Sequence, residues 1–224
     1  MKRKNQDLGE VNMLDQSYLF EIGRLCRVTI TAVDRVFEAY PREEDPSRWS
    51  MIATAQHLDN LYVALNAGAR IGNFVDAPAA RDRKAASDRS MAIRHAVGDP
   101  ELSVVADRDA RNSIEHYDER LDLVRAKLSG LRLQGQYVAV ESLVLSEMRL
   151  ENALEFPYQV YSSPILPNRL LFPLRVYEMN SATFYTIEDV TINLRGLRQD
   201  ATTLLAGITG DKHNPFMTYI GPSS

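Results

Sequence analysis

Apolar residues recur at helical spacing through the first half of the chain and at strand spacing through much of the second. Leu19, Ile22, Leu25, Thr29, Val33, Val36 and Phe37 share one face of a helix expected from Leu14 to Tyr40. Pro41 and Pro46 bracket a charged break that stops it, since proline has no N–H to continue the ladder. Ser47 is a favourable N-cap for a second helix carrying Trp49, Ile52, Leu58, Leu61 and Leu65, which is expected to weaken at Gly68 and Gly72. A third segment, Ala79 to Val97, is short of large apolar residues and rich in arginine. The fourth helix, expected over Asp107 to Leu128, has the most regular seam. Its Ala110, Ile114, Tyr117, Leu121, Val124 and Leu128 alternate spacings of four and three, and Gly130 supplies a stop.

Beyond Leu131 the pattern shortens. Gln136–Val140, Ser142–Leu145 and Phe156–Tyr161 read as strands, and Leu171–Tyr177 with Thr183–Ile187 as a hairpin. A last helix is expected over Asn193 to Ile208. The tail after Gly210 carries Phe216, Met217, Tyr219 and Ile220, enough apolar surface to predict docking. Helices first and strands second argue for an α+β fold: a helical unit over residues 1–131, then a small antiparallel β elaboration closed by one helix over 132–224 and packed on it.

Composition narrows the function classes. A net charge of −4 over 224 residues leaves no global basic footprint, so a nucleic-acid site has to be a local patch. The one cysteine, Cys26, lies on the first helix and cannot form an internal disulfide. Met1-Lys-Arg-Lys runs into polar residues rather than the apolar core of a secretory signal, and no apolar run has the length of a membrane span. A cytoplasmic chain without membrane partners is expected. The four histidines, His57, His95, His116 and His213, show no metal-ligand spacing, and no glycine-rich phosphate loop is present. No metal and no cofactor is expected.

The chemistry concentrates on the fourth helix. Arg111-Asn112-Ser113-Ile114-Glu115-His116 puts a permanent guanidinium, an amide and an imidazole within two turns, and a guanidinium with an imidazole is the pair needed to handle a phosphodiester. On an ideal helix Arg111 and His116 stand about 140° apart, so they converge only through a swung arginine, a kink or a second copy of the chain. Asn112, His116 and Arg120 share one flank of the seam. Arg81, Arg83, Lys84, Arg89 and Arg94 make the third segment the one locally basic stretch, able to guide a phosphate backbone toward the fourth helix or simply to form a solvated helix face.

The segment Arg111–His116 resembles the Arg-x4-6-His signature of the HEPN superfamily in its arginine, the polar residue after it and the histidine after four intervening residues. The resemblance implies an antiparallel helical bundle over residues 1–131, a homodimer with the motif at its cleft, and, in catalytic members, metal-independent cleavage of RNA. Arg111 would then hold the scissile phosphate, His116 move protons, and Asn112 orient His116 or the substrate. Two functions from different classes are expected: a dimeric ribonuclease acting as a toxin or defence component with a protein partner or antitoxin, or a non-catalytic helical module that dimerises and binds a protein or nucleotide partner. The physical alternative to both is a fourth-helix surface laced with solvated charge pairs and a structural His116.

Overall fold

The computed structural model describes residues 13–39, 51–52, 55–76, 83–116, 119, 121–122, 124–126, 129, 138–141, 143–146, 161–162, 170–186 and 190–210. Its class is α+β. Helix α1 (Met13–Ala39) is followed by strand β1 (Met51–Ile52), α2 (Ala55–Val75), α3 (Arg83–Ala96) and α4 (Arg108–Glu115). Strands β2 (Val138–Glu141), β3 (Val144–Ser146), β4 (Tyr161–Ser162), β5 (Leu170–Pro173), β6 (Val176–Glu178), β7 (Thr183–Tyr185) and β8 (Thr191–Asn193) precede a final helix, α5 (Leu194–Gly210).

Helices α1 and α2 pack antiparallel. Tyr18, near the start of α1, meets Phe74 at the end of α2 with ring centroids 5.8 Å apart, and Glu21 lies 3.6 Å from Arg70. Their apolar faces, with Ile22, Leu25, Val33 and Val36 against Leu61, Leu65 and Ile71, form one core with Leu194, Leu197, Leu204 and Ile208 of α5. Arg198 of α5 reaches Asp34 of α1 at 2.7 Å. Gly68 lets this happen, since a Cβ there would come within 2.7 Å of the Leu197 side chain. Gly68 and Gly72 therefore do not weaken the second helix. They sit buried in its last two turns and mark where other elements approach it closely.

The C-terminal end of α3 is closed by a Schellman arrangement in which the Asp99 amide bonds to the Arg94 carbonyl at 2.7 Å and the Gly98 amide to that of His95 at 3.1 Å. Gly98 takes the left-handed backbone this needs, at φ +84°. The chain then turns toward α4, and α5 governs that turn. The buried Asp200 accepts from the backbone amides of Val104 and Val105 at 2.7 and 3.0 Å through a single carboxylate oxygen.

Four further expectations need correction. The sheets are mixed: a five-stranded one in the order β1-β3-β6-β7-β8 and a three-stranded one in the order β2-β5-β4, with β3/β6 and β2/β5 parallel. The strand expected over Leu171–Tyr177 is two strands, β5 and β6, that belong to different sheets, so the observed hairpin is β6 with β7 alone. The fourth helix is also not continuous from Asp107 to Leu128. It ends at Glu115 with His116 as C-cap, and the next described residue, 119, is helical again. The second helix starts at Ala55 rather than just after Ser47, and Ile52, expected on it, lies in strand β1, which pairs with β3 through Met51 with Leu145 and Ile52 with Val144 and ties the 50s to the 140s. The carboxy-terminal tail lies outside the described residues.

Candidate functional site

Helix α4 is fixed at its start by Asp107, whose carboxylate accepts from the amides of Asp109 and Ala110 at 2.9 and 3.2 Å, the usual work of an N-cap. Nine residues later the His116 amide still bonds to the Asn112 carbonyl at 3.0 Å, but the His116 backbone has left the helical region, with φ −107° and ψ 34°. The motif thus spans one short helix and its cap. Ala110 and Ser113 are buried with Arg111, while Arg108, Asp109, Asn112 and His116 are exposed.

The two ends of the motif stand in opposite environments. Arg111 is 5% exposed, and the His116 side chain is 55% exposed, with its Nδ1 3.6 Å from Glu119. Arg111 points toward the end of α2, where its Nη2 lies 3.5 Å from Asp76. Asp76 is held more closely by Arg108, from Nε at 2.8 Å and from Nη2 at 3.4 Å. The Arg108 hydrogen bond is the main reason that the Asp76 carboxyl titrates below the ordinary carboxylate range; partial burial opposes the effect, and Arg111 adds to it. Arg111 Nη1 is buried without a hydrogen-bond acceptor among the described residues, as is the Ser113 hydroxyl. Gly72 makes room for it, since a Cβ there would stand 2.4 Å from the Val105 carbonyl oxygen and 3.1 Å from Nη1.

Beside Arg111 lies a cavity of about 20 Å³, lined among others by Gly68, Val105, Ile114 and Leu197, which is too small for anything larger than a water molecule. Any partner of the motif must therefore meet it at the surface. A wider hollow of about 810 Å³ opens around Met91, Arg94, His95 and Asp99 at the end of α3. Among the described residues, no group of three or more His, Cys, Asp or Glu is placed to hold a metal ion, and no helix is long and apolar enough to cross a membrane.

No family model, curated protein or solved structure matches the chain.

The basic residues of the third segment divide by position. Arg83 and Lys84 are exposed in the first turn of α3. Arg89 donates to the Asn73 carbonyl at 3.0 Å and lies over the Tyr18 ring at 5.7 Å, so it fastens α3 to α1 and α2. Arg94 bonds to Asp99 at 3.0 Å and to the Pro100 carbonyl at 3.1 Å, within the turn that follows its own helix. Arg81 and Arg120 lie outside the described residues. Asn112 and His116 share the exposed side of α4 with Arg108, four residues before Asn112. Arg108, Asp76 and Asp200 are the residues around the motif that sequence reasoning did not assign to the site, and Gly72 was read only as helix-weakening. Arg108 was legible in principle, because it is one turn from Asn112 on the same helix.

Proposed function

We propose that the chain is a helical binding module of HEPN type, paired as a homodimer, whose α4 flank meets a nucleotide-bearing partner. The observation that carries this reading is the division of the motif: Arg111 is buried and committed to Asp76, while Asn112 and His116 face solvent. An exposed amide and imidazole offer hydrogen bonds to a base or a phosphate without requiring the arginine to act on a scissile bond. Sedimentation should report a dimer at micromolar concentration. A fluorescent RNA oligonucleotide should bind the wild-type protein, bind His116→Ala and Asn112→Ala more weakly, and remain intact. A monomer indifferent to both substitutions would refute the proposal.

A second reading is favoured by the exposure of His116 beside Asn112, which leaves an imidazole able to exchange a proton with a bound ligand. In it the protein is a metal-independent ribonuclease of a toxin or defence system: an RNA 2′-hydroxyl, giving its proton to His116, attacks the adjacent phosphate to form a 2′,3′-cyclic phosphate, the P–O5′ bond breaks, and the departing 5′ oxygen takes a proton from water. RNA cleavage with EDTA present, lost in His116→Ala and absent on DNA, would replace the binding reading with this one.

A further inference from the structure

We infer that Asp76 is a latch, holding the Arg111 guanidinium inside the protomer and away from the flank of Asn112 and His116 until a phosphate-bearing ligand draws it out. The inference rests on the reading of that flank as the face that meets a nucleotide partner. Its physical basis is the poor match between Arg111 and its surroundings. A buried cation is stable when it is paired and its donors are filled. Arg111 has five donors. Its one carboxylate contact among the described residues is 3.5 Å long, at the outer edge of hydrogen bonding, and the same carboxylate is bound more closely by Arg108. Nη1, sealed against Gly72, has no acceptor among the described residues. An arginine serving only as a cross-link would fill more of these positions.

Release requires no movement of the helix. Arg108 and Arg111 are one turn apart and both touch Asp76, yet Arg108 is exposed and Arg111 is not. Arg111 therefore stands at the boundary of the buried face, and a change of side-chain rotamer carries it to the side where Arg108 already lies. The Asp76 side chain is 27% exposed, so a ligand in solution can compete for its partners. A phosphate offers Arg111 two oxygens at once, a better match to the guanidinium fork than one shared carboxylate oxygen.

The test removes the latch and reads Arg111 directly. Wild type, Asp76→Asn, Asp76→Ser and the carboxylate-retaining Asp76→Glu are treated with phenylglyoxal, and Arg111 modification is followed by mass spectrometry, with circular dichroism as the check of folding. Binding of a 2′-O-methylated RNA oligonucleotide, which cannot be cleaved through its 2′ oxygens, is measured on the same proteins. Arg111 should be protected in wild type and Asp76→Glu and react at least about tenfold faster in the neutral variants. Those variants should also bind the oligonucleotide about tenfold more tightly, the gain expected of one added charge-assisted contact. Protection of Arg111 in a folded neutral variant overturns the latch whatever the oligonucleotide does. A reactive Arg111 with unchanged binding shows that the contact does not control the ligand and overturns it as well. Failure of every protein to bind the oligonucleotide, with Arg111 reactive, overturns the phosphate-face reading, and the role of the latch falls with it.

Discussion

Replacing Asp200 with alanine isolates the contact that aims α4. The carboxylate is 5% exposed, and one of its oxygens accepts from both Val104 and Val105 amides at 2.7 and 3.0 Å. Hydrogen bonds to a charged acceptor contribute roughly 1.5–3 kcal/mol each, and a buried donor left without a partner costs about 1–3 kcal/mol. The sum is moderated because the buried carboxylate no longer has to be desolvated. Asp200→Ala should therefore lose about 3 kcal/mol, which for a domain of this size lowers the melting temperature by roughly 6–12 °C. Asp200→Asn is the informative control. Both bonds end on the same oxygen, so the amide oxygen of asparagine can accept both and only the charge is lost, at a cost of about 1 kcal/mol. Urea denaturation gives the two stabilities, and hydrogen exchange at the Val104 and Val105 amides reports the bonds themselves. A loss below about 1 kcal/mol in Asp200→Ala, or equal losses in both variants, would refute the assignment of the stability to these two bonds.

Gly72→Ala should destabilise by about 1–3 kcal/mol in chemical denaturation, because the added Cβ would sit 2.4 Å from the Val105 carbonyl oxygen; an exposed helix interior would instead gain up to about 1 kcal/mol. The Asp76 carboxyl is depressed in the folded state, chiefly by Arg108, so its ion pairs stabilise above the ordinary carboxylate pKa and that stability is lost as pH falls through the folded value. On acidification from about pH 5 to pH 2, Asp76→Asn should consequently lose less stability than wild type in parallel urea titrations. Burial pushes the Cys26 thiol up to about 12, so it should resist iodoacetamide at mildly alkaline pH until the protein is unfolded, which mass spectrometry of the carbamidomethylated chain will show.

The amphipathic helices could be read from the sequence because their periodicity follows from burial. Leu19, Ile22, Leu25, Val33 and Val36 lie in the core as their spacing implies, and α1, α3 and α5 begin and end within a few residues of expectation. The interruption of the fourth helix could not be read, since no glycine or proline occurs between Arg111 and His116 and the apolar seam continues past it. Gly68 and Gly72 misled for a different reason: local propensity counts them as helix-weakening, and only the neighbouring α5 and the turn before α4 show what their missing side chains accommodate. The split between β5 and β6 was equally hidden, because period-two patterning does not say which sheet a strand joins. Within the motif, the exposed Asn112 and His116 follow from their position off the seam. The burial of Arg111 was hidden, because Asp76, the carboxylate its guanidinium meets, is thirty-five residues away in sequence.

The placement of α5 has a consequence for how the chain is made. Its Leu194, Leu197, Leu204 and Ile208 complete the core that α1 begins, and β1 has to wait for β3. As α1 and α2 leave the ribosome, they emerge with an uncovered apolar face that remains open until α5, more than a hundred residues later, has been translated. Contacts between residues so far apart in sequence form slowly, and nascent chains with exposed apolar surface are prone to self-association. A chain cut before α5 should therefore leave that core incomplete and be more sensitive to proteolysis than the full sequence.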